Sequence, residues 1–553
     1  MYVDLHAQNA NARIVAPRNQ ASHSQPHRSV RVTPALLLFV LASCPAPAQT
    51  RTWHTVWTGS AQGPYPVGNA SAQPDLRFVF PSAETGARDQ TFRLIVQPDL
   101  WSTSIRLRLS NAMGARPVTF DGVFAGLQWS AAAVVAGTNR PVRFGGKPGV
   151  TIAPGEEAWS DAIALPFVRD PVQAELAGRK LAVSFHVVGE SGPMTWHAKA
   201  LTTSYVTAPA AGSKGRDEDE AAFPFSTTSW YFLDAVDAMA PASTRVVVAL
   251  GDSITDGTDS TLNGNDRWPN ALSRRLHAAY GNRVAVVNAG IGGNQVVGPA
   301  EYSASKPFSG GPSARQRLER DVLSLSGVSA VIWLEGINDF GRNTGASVDA
   351  VEGGMKEVVG RIRARLPDVK IIGATLTSAL GSANAAHGSP AEDEKRKQLN
   401  EFIRTSRLFD GVADFDRATL DPDTGGLRPE FVPDSTTGGR GDKLHPNRAG
   451  YLAMAMAIDL WELQQERVAM KSGTRKAALF LAFLLALALL VASHSEALGL
   501  ILALSFYAAG SARVLIQTFA KRPGESYSRS GWGNALAAFP TSWQRWLLDE
   551  PRK

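Results

Sequence analysis

The segment 245–257 reads RVVVALGDSITDG and decides the fold. Its first half is a β-branched apolar run, which is typical of a strand buried in a parallel sheet. The chain then turns at Gly251 and presents Ser253 at the carboxyl end of that strand, and a helix is predicted to follow over Arg267–Leu276. Ligands bind at this edge of open α/β sheets, and helix N-termini offer N–H groups that stabilise negative charge. An ordinary strand–turn–helix corner has the same pattern, so further residues are needed to favour a nucleophilic serine.

Two more apolar runs are followed by residues suited to bind a negatively charged oxygen. Gly293 comes after the predicted strand Val284–Val287, where glycine lets the backbone approach a ligand closely. Asn338 comes after the predicted strand Ala330–Leu334, and its side-chain amide is a neutral donor for a developing oxyanion. Each alone is more typical of a turn or a cap. Their order after Ser253, each beyond a strand end, favours a common site.

A third pair of polar residues precedes a predicted long helix over Asn447–Arg467. Of the ten histidines in the chain, only His445 has an acidic residue three positions before it, and that residue is Asp442. A surface pair of this kind is often structural. Because this pair follows Gly293 and Asn338 along the chain, it favours a catalytic histidine and acid in the same site.

With these residues in place, the chain resembles the SGNH, or GDSL-type, serine hydrolases across roughly 246–463. Ser253, Gly293, Asn338 and His445 match the four family positions, and Asp442 matches the acid that orients the histidine. The resemblance implies that Ser253 attacks a carbonyl, that His445 takes its proton, and that Asp442 fixes the imidazole tautomer. It also implies an oxyanion hole made of the Ser253 and Gly293 N–H groups and the Asn338 amide. A flavodoxin-like α/β fold is expected for this part.

Composition and motifs argue against several other classes of protein. The chain has 553 residues and one cysteine, so neither an intrachain disulfide nor a cysteine zinc cluster can form. The net charge of +6 comes from scattered basic residues, which argues against a nucleic-acid partner. No Gly-x-Ser-x-Gly elbow of the α/β-hydrolase kind occurs. We expect no cofactor and no metal, and the expected partner is a small-molecule or polysaccharide ester substrate.

Other polar residues receive structural interpretations. Asp252 and Asp256 are predicted to brace the turn at Ser253 by accepting hydrogen bonds from backbone N–H groups. For Glu335 a structural hydrogen bond is favoured over contact with substrate. His186 and His197 are predicted to lie on strand surfaces of the N-terminal region.

Sequence pattern divides the chain into parts with different structure. Between the ends, alternating runs predict an all-β sandwich of jelly-roll type, joined by a linker near Ala240–Pro241 to a parallel five-strand sheet with helices on both faces. Further helices are predicted over Ser313–Leu325, Val348–Leu366 and Ala391–Ser406, and the loop Leu420–Arg440 is predicted to form a rim or lid beside the histidine. The predicted parts are a polar leader and signal peptide (1–50), a β-sandwich accessory domain (51–241), the hydrolase domain (242–470), and a hydrophobic hairpin with a tail (471–553).

Both ends of the chain carry apolar segments. Thr33–Cys44 is typical of a signal-peptide core, with either ordinary cleavage before Gln49 or a lipobox at its end. The uncharged runs Ala477–Ser493 and Ala497–Ala512 favour a membrane hairpin over a packed helical pair. Basic residues flank both sides of the hairpin and favour cytoplasmic ends, whereas the signal peptide favours export. We expect an exported, membrane-tethered protein.

Two questions about substrate stay open at this level. Trp53, Trp101 and Trp129 of the β-sandwich can bind carbohydrate or can belong to its core. A β-sandwich ahead of an SGNH domain resembles esterases that remove O-acetyl groups from carbohydrates, so this is the first expectation. The alternatives are a lipase or lysophospholipase, an acyltransferase to a sugar hydroxyl, and a non-catalytic carbohydrate-binding protein.

Overall fold

A computed structural model describes residues 50–169 and 174–464. The described residues from 51 onward form one compact unit. The predicted signal peptide and the predicted hairpin lie outside the described residues. Within the two described ranges, none of the helices has both the length and the apolar character that crossing a bilayer requires.

The first part of the described chain is rich in antiparallel strands, as the alternating pattern predicts. A 3₁₀ turn occupies Ala174–Leu176. The strands are β1 (Arg51–Thr58), β2 (Gly63–Pro64), β3 (Arg88–Val96), β4 (Ser104–Ser110), β5 (Val118–Ser130), β6 (Ala133–Val134), β7 (Arg140–Pro141), β8 (Val150–Ile152), β9 (Glu157–Trp159), β10 (Ile163–Ala164), β11 (Leu181–Glu190), β12 (Thr195–His197), β13 (Ser204–Val206), β14 (Phe225–Thr227), β15 (Trp230–Tyr231) and β16 (Leu233–Pro241). We call residues 51–241 the β-rich region.

Three sheets make up the β-rich region. One has the order β1-β16-β4-β10 with β9 also on β4, and the second has the order β14-β13-β3-β11-β5-β6 with β7 and β8 also on β5. The small third sheet has the order β15-β12-β2. The all-β prediction is confirmed, while the jelly-roll connection stays a prediction.

Aromatic side chains fill the centre of the β-rich region. Phe92 stacks on Phe185 with ring centroids 5.4 Å apart, and Phe232 meets Phe120 edge-on at 5.1 Å. Tyr231 lies 5.2 Å from Phe92. Such pairs add to the free energy gained by burying large apolar surfaces, so this core is built chiefly from ring packing.

The second part of the chain alternates strands and helices. We call residues 242–464 the α/β region. Its elements are β17 (Arg245–Gly251), α1 (Ser253–Asp256), α2 (Trp268–Tyr280), β18 (Val284–Gly290), α3 (Ala314–Leu318), a π-helical turn (Glu319–Leu323), β19 (Val328–Leu334), α4 (Val348–Arg365), β20 (Lys370–Ala374), α5 (Pro390–Thr405), β21 (Gly411–Ala413), α6 (Phe415–Thr419), a 3₁₀ turn (Pro429–Phe431), α7 (Arg448–Met456) and α8 (Leu460–Gln464).

The predicted parallel five-strand sheet is present, with the order β18-β17-β19-β20-β21. β17 lies between β18 and β19, and its last residue, Gly251, is in register with Gly290 on one side and Leu334 on the other. The carboxyl ends of these three strands therefore lie side by side. The segments that carry Ser253, Gly293 and Asn338 all leave the sheet at this edge.

Several helix predictions need correction. The predicted helix Arg267–Leu276 corresponds to α2, which begins one residue later, at Trp268. Ser253 does not precede α2 directly, because the one-turn helix α1 comes first. The predicted helix Ser313–Leu325 becomes α3 followed by the π-helical turn. The predicted helix over Asn447–Arg467 ends at Met456, and α8 follows after a turn in which Asp459 accepts a hydrogen bond from the Trp461 N–H at 2.8 Å. Residues 465–467 lie outside the described chain.

The β-rich region passes directly into the α/β region without the expected linker. Ala240 and Pro241 are the last residues of β16 and pair with Thr52 and Arg51 of β1. β17 begins at Arg245, after a short turn. Side-chain contacts hold the two regions together: Thr55 Oγ1 accepts a hydrogen bond from the Ser326 N–H at 2.9 Å, at the amino end of β19.

Candidate active site

Ser253 stands at a tight turn between β17 and α1. Asp252 caps α1, and its carboxylate accepts a hydrogen bond from the Ile254 N–H at 2.9 Å. The α1 helix ends at Gly257, whose φ of 103° lies in the left-handed region that favours glycine. This geometry confirms that Asp252 braces the turn, and it holds Ser253 at the sheet edge with 5% of its surface exposed.

A continuous chain of hydrogen bonds joins Ser253, His445 and Asp442. The Ser253 Oγ lies 2.8 Å from the His445 Nε2, and the His445 Nδ1 lies 2.6 Å from an Asp442 carboxylate oxygen. The other Asp442 oxygen accepts hydrogen bonds from the Leu444 and His445 N–H groups, both at 2.8 Å. Lys443 adopts a left-handed φ of 61°, which folds the short segment back so that side chain and backbone meet. The predicted serine, histidine and acid are thus brought together.

The charges of this chain suit proton transfer from the serine. Burial lowers the pKa of His445 and outweighs the hydrogen bond to Asp442, which acts to raise it. Burial opposes ionisation of Asp442, but its hydrogen bond and attraction to His445 prevail and its pKa lies below the usual range. At neutral pH the imidazole is therefore neutral and can accept a proton, while Asp442 is ionised.

The loop after β18 carries Gly293 next to a crowded backbone. Gly293 has a φ of 82°, and a Cβ added there would lie 3.2 Å from the Gly310 Cα. The neighbouring Gly292 N–H donates to Asp256 at 3.0 Å, so the Asp256 side chain braces this loop, whereas the prediction placed its backbone partners in the turn at Ser253. Both the left-handed conformation and the close approach require glycine at position 293.

Asn338 reaches the same loop from the end of β19. Its Nδ2 donates to the carbonyl oxygen of Asn294 at 2.9 Å, one residue beyond Gly293. Next to it, the Asp339 carboxylate accepts hydrogen bonds from the Val296 and Val297 N–H groups at 2.9 and 3.0 Å. The segments bearing Gly293 and Asn338 are therefore tied together at the sheet edge beside Ser253.

A known protein family matches this region of the chain. Residues 249–453 match the model of the GDSL-like lipase/acylhydrolase family. Residues 249–453 are a GDSL-like lipase/acylhydrolase domain. The chain is accordingly an ester-hydrolysing enzyme, and the non-catalytic alternative is set aside. No curated protein matches the chain.

Several solved structures are similar to the GDSL-like domain. A lipase/acylhydrolase from Enterococcus faecalis shares 21% identity, covers 39% of this chain and 94% of its own, and has a TM-score of 0.29. A carbohydrate acetylesterase from Sinorhizobium meliloti shares 15% identity, with 39% and 96% covered and a TM-score of 0.29. A putative arylesterase from Agrobacterium tumefaciens shares 20% identity, with 39% and 96% covered and a TM-score of 0.28.

A buried arginine that the sequence did not single out connects the strand ends of the GDSL-like domain. Arg317 donates to the carbonyl oxygens of Gly251 at 2.8 Å and Ala289 at 2.6 Å, and to the Asn294 side chain at 2.7 Å. It also pairs with Asp321 at 3.0 Å. One guanidinium thus joins the segments before Ser253 and on both sides of the Gly293 loop. The spacing of Arg317 and Asp321 on one helical face is the only sequence signal for this role.

Side chains of the β-rich region also reach the GDSL-like domain at this edge, and nothing in the sequence pattern indicates it. Gln62 Nε2 donates to the carbonyl oxygen of Gly292 at 3.1 Å. Lys199 Nζ donates to the Thr258 Oγ1 at 2.8 Å, and His197 Nε2 lies 3.2 Å from an Asp256 carboxylate oxygen. Their partners lie far away along the chain, so only folding brings them here.

Two predictions about histidines are wrong. His186 and His197 lie on strands, but both are buried instead of facing solvent. His186 bridges the carboxylates of Asp89 at 2.8 Å and Asp121 at 2.6 Å. Each ring nitrogen has a polar partner, which makes burial of an imidazole tolerable.

Glu335 has the structural role that was favoured. Its side chain is buried and accepts a hydrogen bond from the Trp333 Nε1 at 2.6 Å. Burial raises the pKa of Glu335. The same cause raises the pKa of Asp252 to about 8 and that of Asp339 to about 7. Burial thus opposes ionisation of all three carboxyl groups behind the sheet edge.

The tryptophans of the β-rich region have different environments. Trp101 is buried beside Phe167, with ring centroids 6.2 Å apart, so it belongs to the core. Trp53 is half-buried beneath the Arg106 guanidinium, 4.8 Å from its ring. Trp129 is 70% exposed and remains available for contact with a ligand.

A possible cation site overlaps the hydrogen-bonded chain. Among the described residues, Asp259, Asp442 and His445 offer ligand atoms within 4.8 Å of one another. Both ring nitrogens of His445 already have partners in Ser253 and Asp442. A cation would have to break these bonds, so we assign no metal ligands here.

Proposed function

We propose that the enzyme hydrolyses carboxylic esters through an acyl-enzyme formed on Ser253. The observation that carries this proposal is the hydrogen-bonded chain from Asp442 through His445 to the Ser253 Oγ, with distances of 2.6 and 2.8 Å. The Ser253 Oγ attacks the ester carbonyl while His445 Nε2 takes its proton. The imidazolium then protonates the departing alcohol, and Asp442 stabilises its positive charge. Water, activated by His445, releases the acid in the same way.

The proposed oxyanion hole uses the N–H groups of Ser253 and Gly293 and the side-chain amide of Asn338. Neighbouring strand ends bear all three residues, and the Asn338 amide already donates to Asn294 beside Gly293. An amide has two N–H bonds, so the second N–H of Asn338 is available to the substrate oxygen. Donors that are held in place before the reaction lower the barrier most, because no reorganisation is needed.

The proposed substrate is a short acyl ester of a carbohydrate. Buried polar residues surround Ser253, among them Asp252, Thr258 and Asn294. A long acyl chain needs apolar walls to leave water, whereas an acetyl group does not. The loop after Leu420 contacts the turn beyond α1, where the Ser435 N–H donates to the Asp259 carbonyl oxygen at 3.1 Å. Its hydroxyl and carboxylate groups are suited to sugar hydroxyls, which supports a rim beside His445.

Export and tethering belong to the same proposal. They rest on the apolar segment Thr33–Cys44 and on the uncharged runs Ala477–Ser493 and Ala497–Ala512 of the sequence. An exported enzyme of this kind would meet extracellular or periplasmic polysaccharide. A membrane hairpin would keep it at the surface.

A panel of p-nitrophenyl esters from acetate to palmitate, together with an O-acetylated xylan, tests the proposal. We expect the highest kcat/KM with acetate, release of acetate from the polysaccharide, and labelling by a fluorophosphonate that disappears in Ser253→Ala. Turnover in Ser253→Ala should fall by roughly 10⁴-fold or more, since the serine, histidine and acid act as a unit. Label persisting on another serine would falsify the assignment. A preference for palmitate would favour a lipase, and acetyl transfer to an added sugar would favour an acyltransferase.

A further inference from the structure

Gln62 of the β-rich region is buried against the loop that carries Gly293. Its side chain is fully enclosed, and its Nε2 donates to the carbonyl oxygens of Gly292, at 3.1 Å, and of Ser309. Its Oε1 accepts a hydrogen bond from the Ala198 N–H at 3.4 Å. The amide therefore connects the turn at Ala198 with two loops of the α/β region.

The N–H of Gly292 is also linked to the β-rich region, through Asp256 and His197. Its partner is the Asp256 carboxylate, at 3.0 Å, and the other oxygen of Asp256 lies 3.2 Å from His197 Nε2. The His197 Nδ1 lies 2.8 Å from the Ser60 carbonyl oxygen, which fixes the ring. Side chains of the β-rich region thus position both backbone polar groups of Gly292. Gln62 contacts the carbonyl oxygen directly, and His197 acts on the N–H through Asp256.

Lys199 extends from the β-rich region to the turn after α1. It is 5% exposed, and its Nζ donates to the Thr258 Oγ1 at 2.8 Å. The Thr258 N–H in turn donates to the Ser253 carbonyl oxygen at 3.0 Å, and the Thr258 carbonyl oxygen accepts from the Tyr451 hydroxyl at 2.5 Å. A Cβ added to Gly292 would lie 3.2 Å from the Lys199 Cε, so the lysine stem also packs on the loop.

We propose that Gln62 and Lys199 are positioning residues of the ester-hydrolysing site, so that the β-rich region forms part of that site instead of being an accessory module. The inference rests on the acyl-enzyme function proposed above. Gln62 fixes the Gly292–Gly293 peptide whose N–H serves the oxyanion. Lys199 holds the turn after Ser253 through Thr258, and its ammonium group acts electrostatically on His445.

The effect of Gln62 follows from the precision that an oxyanion donor needs. Without its amide, the Gly292 carbonyl loses a buried hydrogen-bond partner, and the loop can move to find another. A displacement of about 1 Å in catalytic geometry costs roughly 10²-fold in rate. Because Gly293 contacts the oxygen mainly in the transition state, the loss should appear in kcat instead of KM.

The effect of Lys199 is electrostatic. The charged and titratable groups that face His445 are Asp442 and Asp259 on neighbouring segments, Asp256 of α1, His387, and Lys199. Among these, Lys199 acts to lower the pKa of His445, whereas Asp442 and Asp256 act to raise it. Since the neutral imidazole is the active form, removing the Lys199 charge should move the acid limb of kcat/KM to higher pH.

The chain offers a matched control for the Gln62 variant. Thr55→Val also removes a hydrogen bond from the β-rich region to a backbone group of the α/β region, the Ser326 N–H, together with the Thr55 hydroxyl's hydrogen bond to Asp237. These bonds lie at the amino end of β19, away from Ser253. With p-nitrophenyl acetate, Gln62→Met should lower kcat by roughly 10- to 100-fold with little change in KM. Thr55→Val should keep the wild-type kcat while lowering the melting temperature. A normal kcat in folded Gln62→Met would overturn the role of Gln62.

Lys199→Met tests the charge through the pH profile of kcat/KM, and Lys199→Arg should restore the wild-type acid limb. If Lys199→Met does not fold by circular dichroism, Lys199→Gln, which retains a donor for Thr258, is measured instead. An acid limb unchanged in the uncharged variant would overturn the role of Lys199. An active, label-binding Ser253→Ala would instead defeat the proposed function. If Ser253→Ala is inactive but the Gln62 and Lys199 variants keep the wild-type kcat and the wild-type pH profile of kcat/KM, this inference is wrong while the proposed function stands.

Discussion

Two of the buried arginines, Arg93 of the β-rich region and Arg317 of the α/β region, do different things. Arg93 of the β-rich region donates to the Ser184 hydroxyl at 2.9 Å and to main-chain oxygens, including that of Ala132 at 2.6 Å, and it lies 4.1 Å from the Phe223 ring. Arg317 of the α/β region donates to backbone oxygens at the ends of two strands beside Ser253. The first arginine secures a loop, and the second aligns the site.

This difference shows how parallel and antiparallel sheets place polar groups. All carboxyl ends of a parallel sheet meet at one edge, so their loops converge and a single buried cation can bind several of them. Antiparallel strands end alternately at opposite edges, so their loops do not all converge at one edge. The β-rich region still contributes to catalysis in our proposal, but through side chains that lie against the edge of the other sheet.

After the loss expected for Ser253→Ala, the largest effect in the α/β region is expected from removing a donor to the oxyanion. Asn338→Ala removes one proposed donor and should lower kcat by roughly 10²–10³-fold while KM stays nearly unchanged. Steady-state kinetics with p-nitrophenyl acetate provides the measurement, and Asn338→Asp, which keeps the shape without the neutral donor, is the companion variant. A mutant whose main defect is a raised KM would show that Asn338 binds the ground-state substrate.

Replacing the two arginines should have effects on kcat that lie between those of Asn338→Ala and of the C-terminal truncation. Arg317→Met should lower the free energy of unfolding by about 3 kcal/mol, the lower end for a broken buried ion pair, because Arg320 still pairs with Asp321 at 2.6 Å. It should also reduce kcat by roughly 10- to 100-fold, since the strand-end loops lose their common partner.

Arg93→Met is the counterpart in the β-rich region. It should lower the free energy of unfolding by about 2 kcal/mol through lost hydrogen bonds to a charged group, with kcat unchanged. Urea unfolding and steady-state kinetics on both variants test the comparison. Equal losses of kcat in the two would show that the arginines do not differ in the way described here.

The smallest effect on turnover is expected from removing the C-terminal segment. Apolar residues of α7 such as Tyr451 and Met454 are buried in the core of the α/β region, so the segment after Met470 is not required to complete that core. A chain ending at Met470 should be soluble and retain full kcat, whereas the longer chain should stay with membranes during carbonate extraction. An insoluble or inactive truncated protein would contradict the tether and assign the segment to the globular fold.

Local sequence patterns predicted what depends on neighbours along the chain. The buried run before Gly251 predicted β17, and Asp252 was correctly expected to accept a backbone hydrogen bond at the turn. The same reasoning failed where long-range packing decides. His197 is buried because Asp256, from the other region, provides its polar partner. Trp101 is a core residue because the Phe167 ring lies beside it.

The sequence alone predicted the chain order of the segments that bear Ser253, Gly293 and Asn338, the family resemblance and the pairing of His445 with Asp442, because periodicity and short motifs carry that information. Only the tertiary structure decided that Arg317 joins the strand ends and that Gln62 and Lys199 of the β-rich region lie against the site. Gln62 and Gly292 are 230 positions apart. No local pattern predicts such a contact, because it forms only when two separately encoded sheets pack together and each buried polar group must find a partner.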